Sequence, residues 1–234
     1  MTDRPYWDAF YGAAHPDLQA PSTFATWCLP MFPPHARLIE FGCGNGRDAL
    51  FFAQSGNDVI ACDQSSVAIE ALVARQNKEL RENNPRLNIW GFGPPSAPFA
   101  PNPIFVHGDF TRLEDGRFGS IDVVYSRFTL HAITKAEASM ALAWAAKNLR
   151  PEGLLAVEVR SVQGDLYGKG EPRERDAFVY NGHYRRFVRL DELRAELSAL
   201  GFVVQQAIES AGLAVHNNDD PVVIRVIASI RDQR

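Results

Sequence analysis

Arg37-Leu38-Ile39-Glu40-Phe41-Gly42-Cys43-Gly44-Asn45-Gly46-Arg47-Asp48 reads as a short apolar strand that ends in a glycine cluster and runs straight into a helix. Glycines at such a junction let the backbone turn tightly and approach a bound ligand, so the stretch predicts a site for a nucleotide-like molecule. The spacing is G-x-G-x-G. A dinucleotide fingerprint, G-x-G-x-x-G, would place its third glycine where this chain has Arg47, which counts against a nicotinamide cofactor.

On either side of this loop, short apolar runs alternate with helix-period segments from Arg37 to the end of the chain. That pattern predicts an α/β fold: a single doubly wound, mostly parallel seven-stranded sheet with helices on both faces and a C-terminal antiparallel hairpin. Val59-Ile60-Ala61-Cys62 is a second strand, and Ile69, Leu72, Val73, Gln76 and Leu80 share one face of the helix after it. Further strands read at Ile104-Phe105-Val106, Ile121 to Tyr125 and Leu154 to Val159, with a helix from about Lys135 to Leu149 and a turn at Arg150-Pro151-Glu152-Gly153. After a helix marked by Leu193, Leu197 and Leu200, Phe202-Val203-Val204 and Val222 to Ala228 supply the hairpin. Three segments stand outside the alternation: an N-terminal helical lid over 1–35, a proline-rich insertion over 84–103, and a polar insertion over 161–187 on the substrate side.

With 234 residues, 46% of them hydrophobic and 22% charged, the chain suits one globular domain over 1–234. Its net charge of -4 gives no general attraction to nucleic acid. No apolar run approaches the roughly 20 residues of a membrane span, and the first residues lack the apolar stretch of a secretion signal, so a cytoplasmic protein is expected. Cys28, Cys43 and Cys62 have neither C-x-x-C spacing nor a neighbouring histidine, which argues against a disulfide framework or a structural metal. No signal for an oligomeric state is legible.

Two carboxylates extend the reading of the glycine loop. Asp63 ends the second strand about 20 residues on, where an acid can accept both ribose hydroxyls of an adenosine; the alternative is a helix cap, a role Ser65 or Ser66 can also fill. Asp109 follows the third strand, where its side chain can accept from an adenine amino group while Phe110 covers the ring.

In this order, Leu38 to Ala53, Val59 to Gln64, Val106 to Leu113, Ile121 to Ile133 and Leu149 to Val159 resemble the successive motifs of class I, Rossmann-like S-adenosylmethionine-dependent methyltransferases of the small-molecule type. The resemblance implies S-adenosylmethionine as cofactor and S-adenosylhomocysteine as product. It places Glu40 and the Gly42, Gly44 and Gly46 backbone near the methionine and ribose, Asp63 and Gln64 at the ribose, Asp109 and Phe110 at the adenine, and Ser126 beside the cofactor. Arg47 resembles the variant of thiopurine- and tellurite-type members, in which an arginine there faces the cofactor carboxylate. Tyr6, Trp7, Phe10 and Tyr11 resemble the Y-W-x-x-x-Y helix that folds over the cofactor in small-molecule members, which makes Trp7 and Tyr11 cofactor-binding candidates; packing of these rings in a core is the competing reading.

Methyl transfer from a sulfonium is an in-line displacement, so a protein supplies alignment, dryness and, for a hydroxyl or ammonium acceptor, a base. Strand ends face the ligand crevice in open α/β sheets, which makes Arg127, His131 and Arg160 substrate-side candidates, with His131 the candidate base. Packing is its alternative. Lys169, Arg173, Arg175, His183, Tyr184, Arg185 and Arg186 punctuate the polar insertion, and His183, Tyr184 and Arg185 are its substrate-binding candidates. Arginine forks match carboxylate and phosphate oxygens, so an anionic or sugar-like acceptor is expected; a solvated surface neutralised by Glu171, Glu174 and Asp176 is the rival. The absence of [DN]-P-P-[FY] and of a Pro-Cys pair disfavours nucleobase methylation, and His216 to Asp220 reads as a polar turn before it reads as a metal site. Methyl transfer to oxygen is the leading expectation. Transfer to nitrogen or sulfur, and a non-catalytic S-adenosylmethionine-binding regulator, remain the alternatives.

Overall fold

The structure, a computed structural model, describes residues 4–13, 20–81, 102–217 and 219–231. Most of the expected proline-rich insertion, from 84 to 101, therefore lies outside the described residues. Seven strands form a mostly parallel sheet in the order β3-β2-β1-β4-β5-β10-β9, where β1 is Arg37–Phe41, β2 Asp58–Asp63, β3 Ile104–His107, β4 Ile121–Arg127, β5 Leu149–Arg160, β9 Phe202–Ser210 and β10 Val223–Ile230. The chain forms two compact units, one of Arg4–Phe110 and one that begins at Thr111.

In the first unit β1 pairs in parallel with β2, and β2 with β3. Leu38, Ile39, Phe41 and Val59 to Cys62 are all buried, the run of apolar residues expected of strands covered on both faces. Helices α1 (Arg4–Ala13), α2 (Thr23–Cys28), α3 (Arg47–Gln54) and α4 (Ser66–Arg81) complete it. Ser22 caps α2 by accepting from the Ala25 N–H at 3.0 Å, and its own N–H and hydroxyl both donate to buried Asp48 of α3 at 2.7 Å. The buried stripe of α4 is Ala68, Ile69 and Leu72; Val73, expected on that stripe, is 37% exposed because it lies one residue round the helix from Leu72.

In the second unit β4 and β5 run parallel, and β10 pairs antiparallel with both β5 and β9. The expected turn at 150–153 is drawn into β5: its partners advance from Ile121 to Val123 while β5 advances from Leu149 to Leu154, so the extra residues bulge out, with Glu152 at φ 63°. Helix α5 (Lys135–Asn148) opens on a capping box in which Thr134 and Glu137 satisfy one another's backbone N–H groups. Helix α6 (Leu190–Ala199) precedes β9. The polar insertion is an ordered antiparallel meander of β6 (Glu171–Glu174), β7 (Ala177–Tyr180) and β8 (His183–Arg186). Asn181 and Gly182, at φ 51° and 71°, make the two-residue turn between β7 and β8. No helix among the described residues is long and apolar enough to cross a membrane.

Candidate functional site

In the first unit the glycine loop folds over the end of β2. The N–H groups of Gly42 and Cys43 donate to the Cys62 carbonyl at 2.8 and 3.1 Å, which bends the chain over the end of β2. Gly44, at φ 54°, turns its bare Cα towards α1, and a Cβ there would run into the Tyr11 hydroxyl. Gly46, at φ 73°, starts α3, and a Cβ would come within 2.7 Å of Leu72. Neither position tolerates a side chain.

Asp63 is the hub of this loop. One carboxylate oxygen accepts the Gly44 N–H at 2.8 Å and the other the Ser65 N–H at 2.9 Å. Burial raises the carboxyl pKa, and the backbone donors of Ser65, Gly44 and Gln64 lower it in part. A carboxylate has about four lone-pair sites, so these three backbone donors leave about one for a ligand hydroxyl. Asp63 does not cap α4, because the Ser65 hydroxyl does so by accepting from Ala68 at 3.3 Å. The same hydroxyl donates to Asp8 of α1 at 2.7 Å and ties that helix to the loop.

The expected cofactor residues gather here in part. Tyr11 stacks on Trp7 with centroids 6.0 Å apart. Burial, then the charge of Asp63, push its hydroxyl far above the usual range, with smaller contributions from Cys43 and Glu40, so Tyr11 stays a neutral donor. Glu40 is 4% exposed and Arg47 heads α3. Gln64 offers its carbonyl to His107 Nε2 at 3.2 Å. The Gly108 N–H donates to the Asp63 carbonyl at 2.9 Å, which sets half-buried Asp109 next in chain after a residue tied to the ribose candidate. Phe110 is placed otherwise than expected: at 2% exposure it stacks on Phe41 with centroids 5.3 Å apart, so its ring serves the core rather than an open adenine wall.

The second unit gathers cations at the ends of β4 and β5. Glu158, fully buried, lies 3.0 Å from Arg127 Nε and accepts from Arg225 Nε at 2.7 Å. Arg225 also donates to the Leu213 carbonyl at 2.7 Å. Phe128 sits at φ 57°, a conformation costing about 1–3 kcal/mol that the surroundings must enforce. Its ring meets the Arg127 and Arg160 guanidiniums at 4.4 and 5.5 Å and the His131 ring at 5.1 Å. Ser126 Oγ is fully buried with no hydrogen-bond partner among the described residues. Such an orphan atom is costly unless a ligand satisfies it.

His131 Nδ1 accepts the Arg160 backbone N–H at 3.3 Å, so the ring proton sits on Nε2. Burial lowers its pKa well below the usual value, and the nearby charges of Arg160, His183, Arg186 and Arg185 add to this. A neutral ring protonated on Nε2 is a hydrogen-bond donor there, which argues against the expected general base. His183, likewise buried, is lowered to about 3 by burial and then by Arg185 and Arg160. Tyr184, expected at the acceptor, instead donates its hydroxyl to Glu174. Arg185 donates to the Tyr180 carbonyl at 3.2 Å, and buried Arg186 to that of Leu130 at 2.7 Å. His216 and Asp219 form a tight backbone bridge, and no group of metal-binding side chains occurs among the described residues.

The two histidines predict acid lability. Both are held neutral in the folded state, with pKa values below the unfolded value of about 6.5. On acidification the unfolded chain therefore takes up protons first. Stability fully present above pH 6.5 is lost as the pH falls towards 3, at up to about 1.4 kcal/mol per pH unit for each histidine. Urea midpoints should fall between pH 7 and 5, and His183→Gln should flatten the fall. A midpoint constant over that range would contradict the neutral pair.

Comparison with known proteins bears on what these residues do. The family described as "Methyltransferase domain" matches residues 18–207. A thiopurine S-methyltransferase of Stutzerimonas stutzeri is 31% identical over 108 residues, which are 44% of this chain and 42% of that protein; the chain thus aligns with less than half the length of this relative. An S-adenosylmethionine-dependent methyltransferase from Methanosarcina mazei superposes with a TM-score of 0.70 at 15% identity, over 87% of this chain and 96% of the other. The 1,6-didemethyltoxoflavin-N1-methyltransferase of Burkholderia thailandensis, solved with 1,6-didemethyltoxoflavin and S-adenosylhomocysteine, superposes with a TM-score of 0.60 at 19% identity, over 90% and 77%.

Proposed function

The chain belongs to the methyltransferase-domain family, and from that premise we propose that it transfers the methyl group of S-adenosylmethionine to an oxygen of a small anionic acceptor, without a general base. The observation that carries this reading is the charge around Phe128, His131 and His183. There Arg160 and Arg185 act on both histidines and Arg186 on His131, while Glu158 pairs with Arg127 and Arg225, Asp219 with Arg160, and Arg186 also feels Glu174, Glu196 and Asp176, in a chain whose net charge is -4. A local excess of cations in an acidic protein selects anions.

In this reading Asp63 receives a ribose hydroxyl on its remaining lone pair, and Asp109 receives the adenine amino group. Glu40, Arg47 and the backbone of Gly42 to Gly46 hold the methionine and ribose side, while Trp7 and Tyr11 close over it. The buried Ser126 hydroxyl, with no protein partner among the described residues, supports a ligand at the end of β4. When bound, the cofactor supplies an electrophilic sulfonium methyl group. The chain's own part is to align the acceptor, exclude water and keep its charge in place. Arg127 and Arg160 hold the anion, and His131 donates Nε2–H to it. An acceptor oxygen that is already ionised needs no proton removed, which suits a histidine unable to serve as a base.

The test is formation of S-adenosylhomocysteine on matched acceptors: benzoate against benzamide, and phenol. The expected result is turnover on the acid and none on the amide, flat from pH 6.5 to 8. Turnover on phenol that stays flat over the same range, where phenol is almost wholly protonated, would instead demand a base on the protein. The second reading is a sulfur acceptor, favoured by the stretch shared with thiopurine S-methyltransferase. A thiolate also needs no base, and turnover on thiophenol but not benzoate would select it.

A further inference from the structure

The acceptor side contains two buried arginine–carboxylate pairs of different kinds. Arg225 and Glu158 are both sequestered, at 5% and 0% side-chain exposure, and Arg225 has a second anchor on the Leu213 carbonyl. Arg160 and Asp219 are mismatched. The arginine side chain is 11% exposed and the aspartate 45%, with Nη2 donating to Oδ2 at 2.6 Å. Arg160 is fixed from behind, where its backbone N–H meets His131 and its Cζ lies 5.5 Å from the Phe128 ring centre. Among the described residues only one of its five side-chain N–H donors has a hydrogen bond, the one to Asp219. Asp219 needs that contact far less. Its backbone is held separately by the two bonds with His216, at 2.8 and 2.9 Å, so its carboxylate can return to water with the turn intact.

We propose that the Asp219 carboxylate is an internal stand-in for the acceptor, and that the acceptor anion is a carboxylate which takes its place on Arg160 against the face of Phe128. This deepens the anionic-acceptor reading above and rests on it. The group that Arg160 holds in the structure is a carboxylate of charge -1, and exchanging it for another leaves the buried charge balance unchanged. The outgoing carboxylate is half in water, so its release requires no new cavity, and the donors it leaves unused can take the incoming group in a two-pronged fork. Asp219 thereby keeps a nearly buried guanidinium from standing without a counter-charge between turnovers.

The experiment titrates the full chain with sodium benzoate, benzamide and inorganic phosphate by ligand-observed NMR, in wild type, Asp219→Asn, Arg160→Gln and Arg127→Gln. Removing the internal competitor should tighten benzoate roughly fivefold in Asp219→Asn, as expected for loss of a partly exposed ion pair. Arg160→Gln should lose benzoate, and benzamide should bind no variant. Asp219→Asn is the deciding variant, because its half-exposed side chain sits on a turn held by backbone bonds, and a cooperative thermal melt shows that the variant is folded when it is titrated. Unaltered benzoate affinity in it overturns the stand-in. A gain for phosphate with none for benzoate overturns the carboxylate class. Benzoate that is indifferent to Asp219 and Arg160 but lost in Arg127→Gln overturns this inference and leaves the anionic-acceptor reading standing. Absence of anion binding in every variant removes both.

Discussion

Replacing Asp63 by alanine is expected to weaken S-adenosylmethionine binding by roughly ten- to a hundredfold. A ribose hydroxyl would lose an ionised acceptor, and a hydrogen bond to a charged group contributes about 1.5–3 kcal/mol. The substitution also strands the Gly44 and Ser65 N–H groups, which Asp63 accepts at 2.8 and 2.9 Å. The glycine loop should therefore loosen, and the apo protein should lose about 1–3 kcal/mol for each donor left buried. Asp63→Asn separates the two effects: its carbonyl can still serve one of the two donors, while its charge is gone. Isothermal titration and urea denaturation of both variants read the outcome. Cofactor affinity equal to wild type in Asp63→Ala would remove Asp63 from the site.

The second large effect is expected at Glu158. Its carboxylate is fully buried with Arg225 at 2.7 Å and Arg127 at 3.0 Å. Breaking a buried pair by removing one partner costs about 3–5 kcal/mol, because the remaining charge is stranded in low dielectric. For a protein of this size each kcal/mol moves the melting temperature by roughly 2–4 °C, so Glu158→Ala should melt roughly 6–20 °C below wild type. Beyond stability, Glu158 holds the guanidinium that lies 4.4 Å over the ring of Phe128. Glu158→Gln keeps the shape and loses the charge, so it should destabilise less and still free Arg127. Thermal melts decide the point: a Glu158→Ala protein within a degree or two of wild type would show that the triad carries no stability.

Much of the fold was legible because its strands are buried on both faces and read as apolar runs, as in Val59 to Cys62 and Val123 to Tyr125. The meander over 171–186 was not, because β6 is exposed throughout and β7 and β8 carry few buried residues, which leaves no alternation to detect. Its one local signal was the Asn181-Gly182 dipeptide, a strong mark of a two-residue hairpin. The bulge at 150–153 looked like a simple turn because proline and glycine signal a break without saying whether pairing resumes in the same strand.

For a cofactor, the strand-end acids at family spacing were legible. The region around Phe128 was legible only in outline. Arg127, His131 and Arg160 fall at strand ends, but the tautomer of His131 depends on one backbone N–H brought to it by folding. Glu158, Arg225 and Asp219 meet their partners across long sequence separations, which pattern reading cannot supply. The signal for the first two was present: a lone acid within Leu154 to Val159 and a lone base within Val222 to Ala228, each inside an otherwise apolar strand. Charges there are buried only when paired. Antiparallel register sets Arg225 opposite Glu158.

Everything said of the site depends on the cofactor, and parallel isothermal titration of the purified chain with S-adenosylmethionine, S-adenosylhomocysteine and NAD tests it most directly. Micromolar binding of both sulfur nucleotides with no heat from NAD is the predicted result. Binding of NAD alone, or of none of the three, would contradict it.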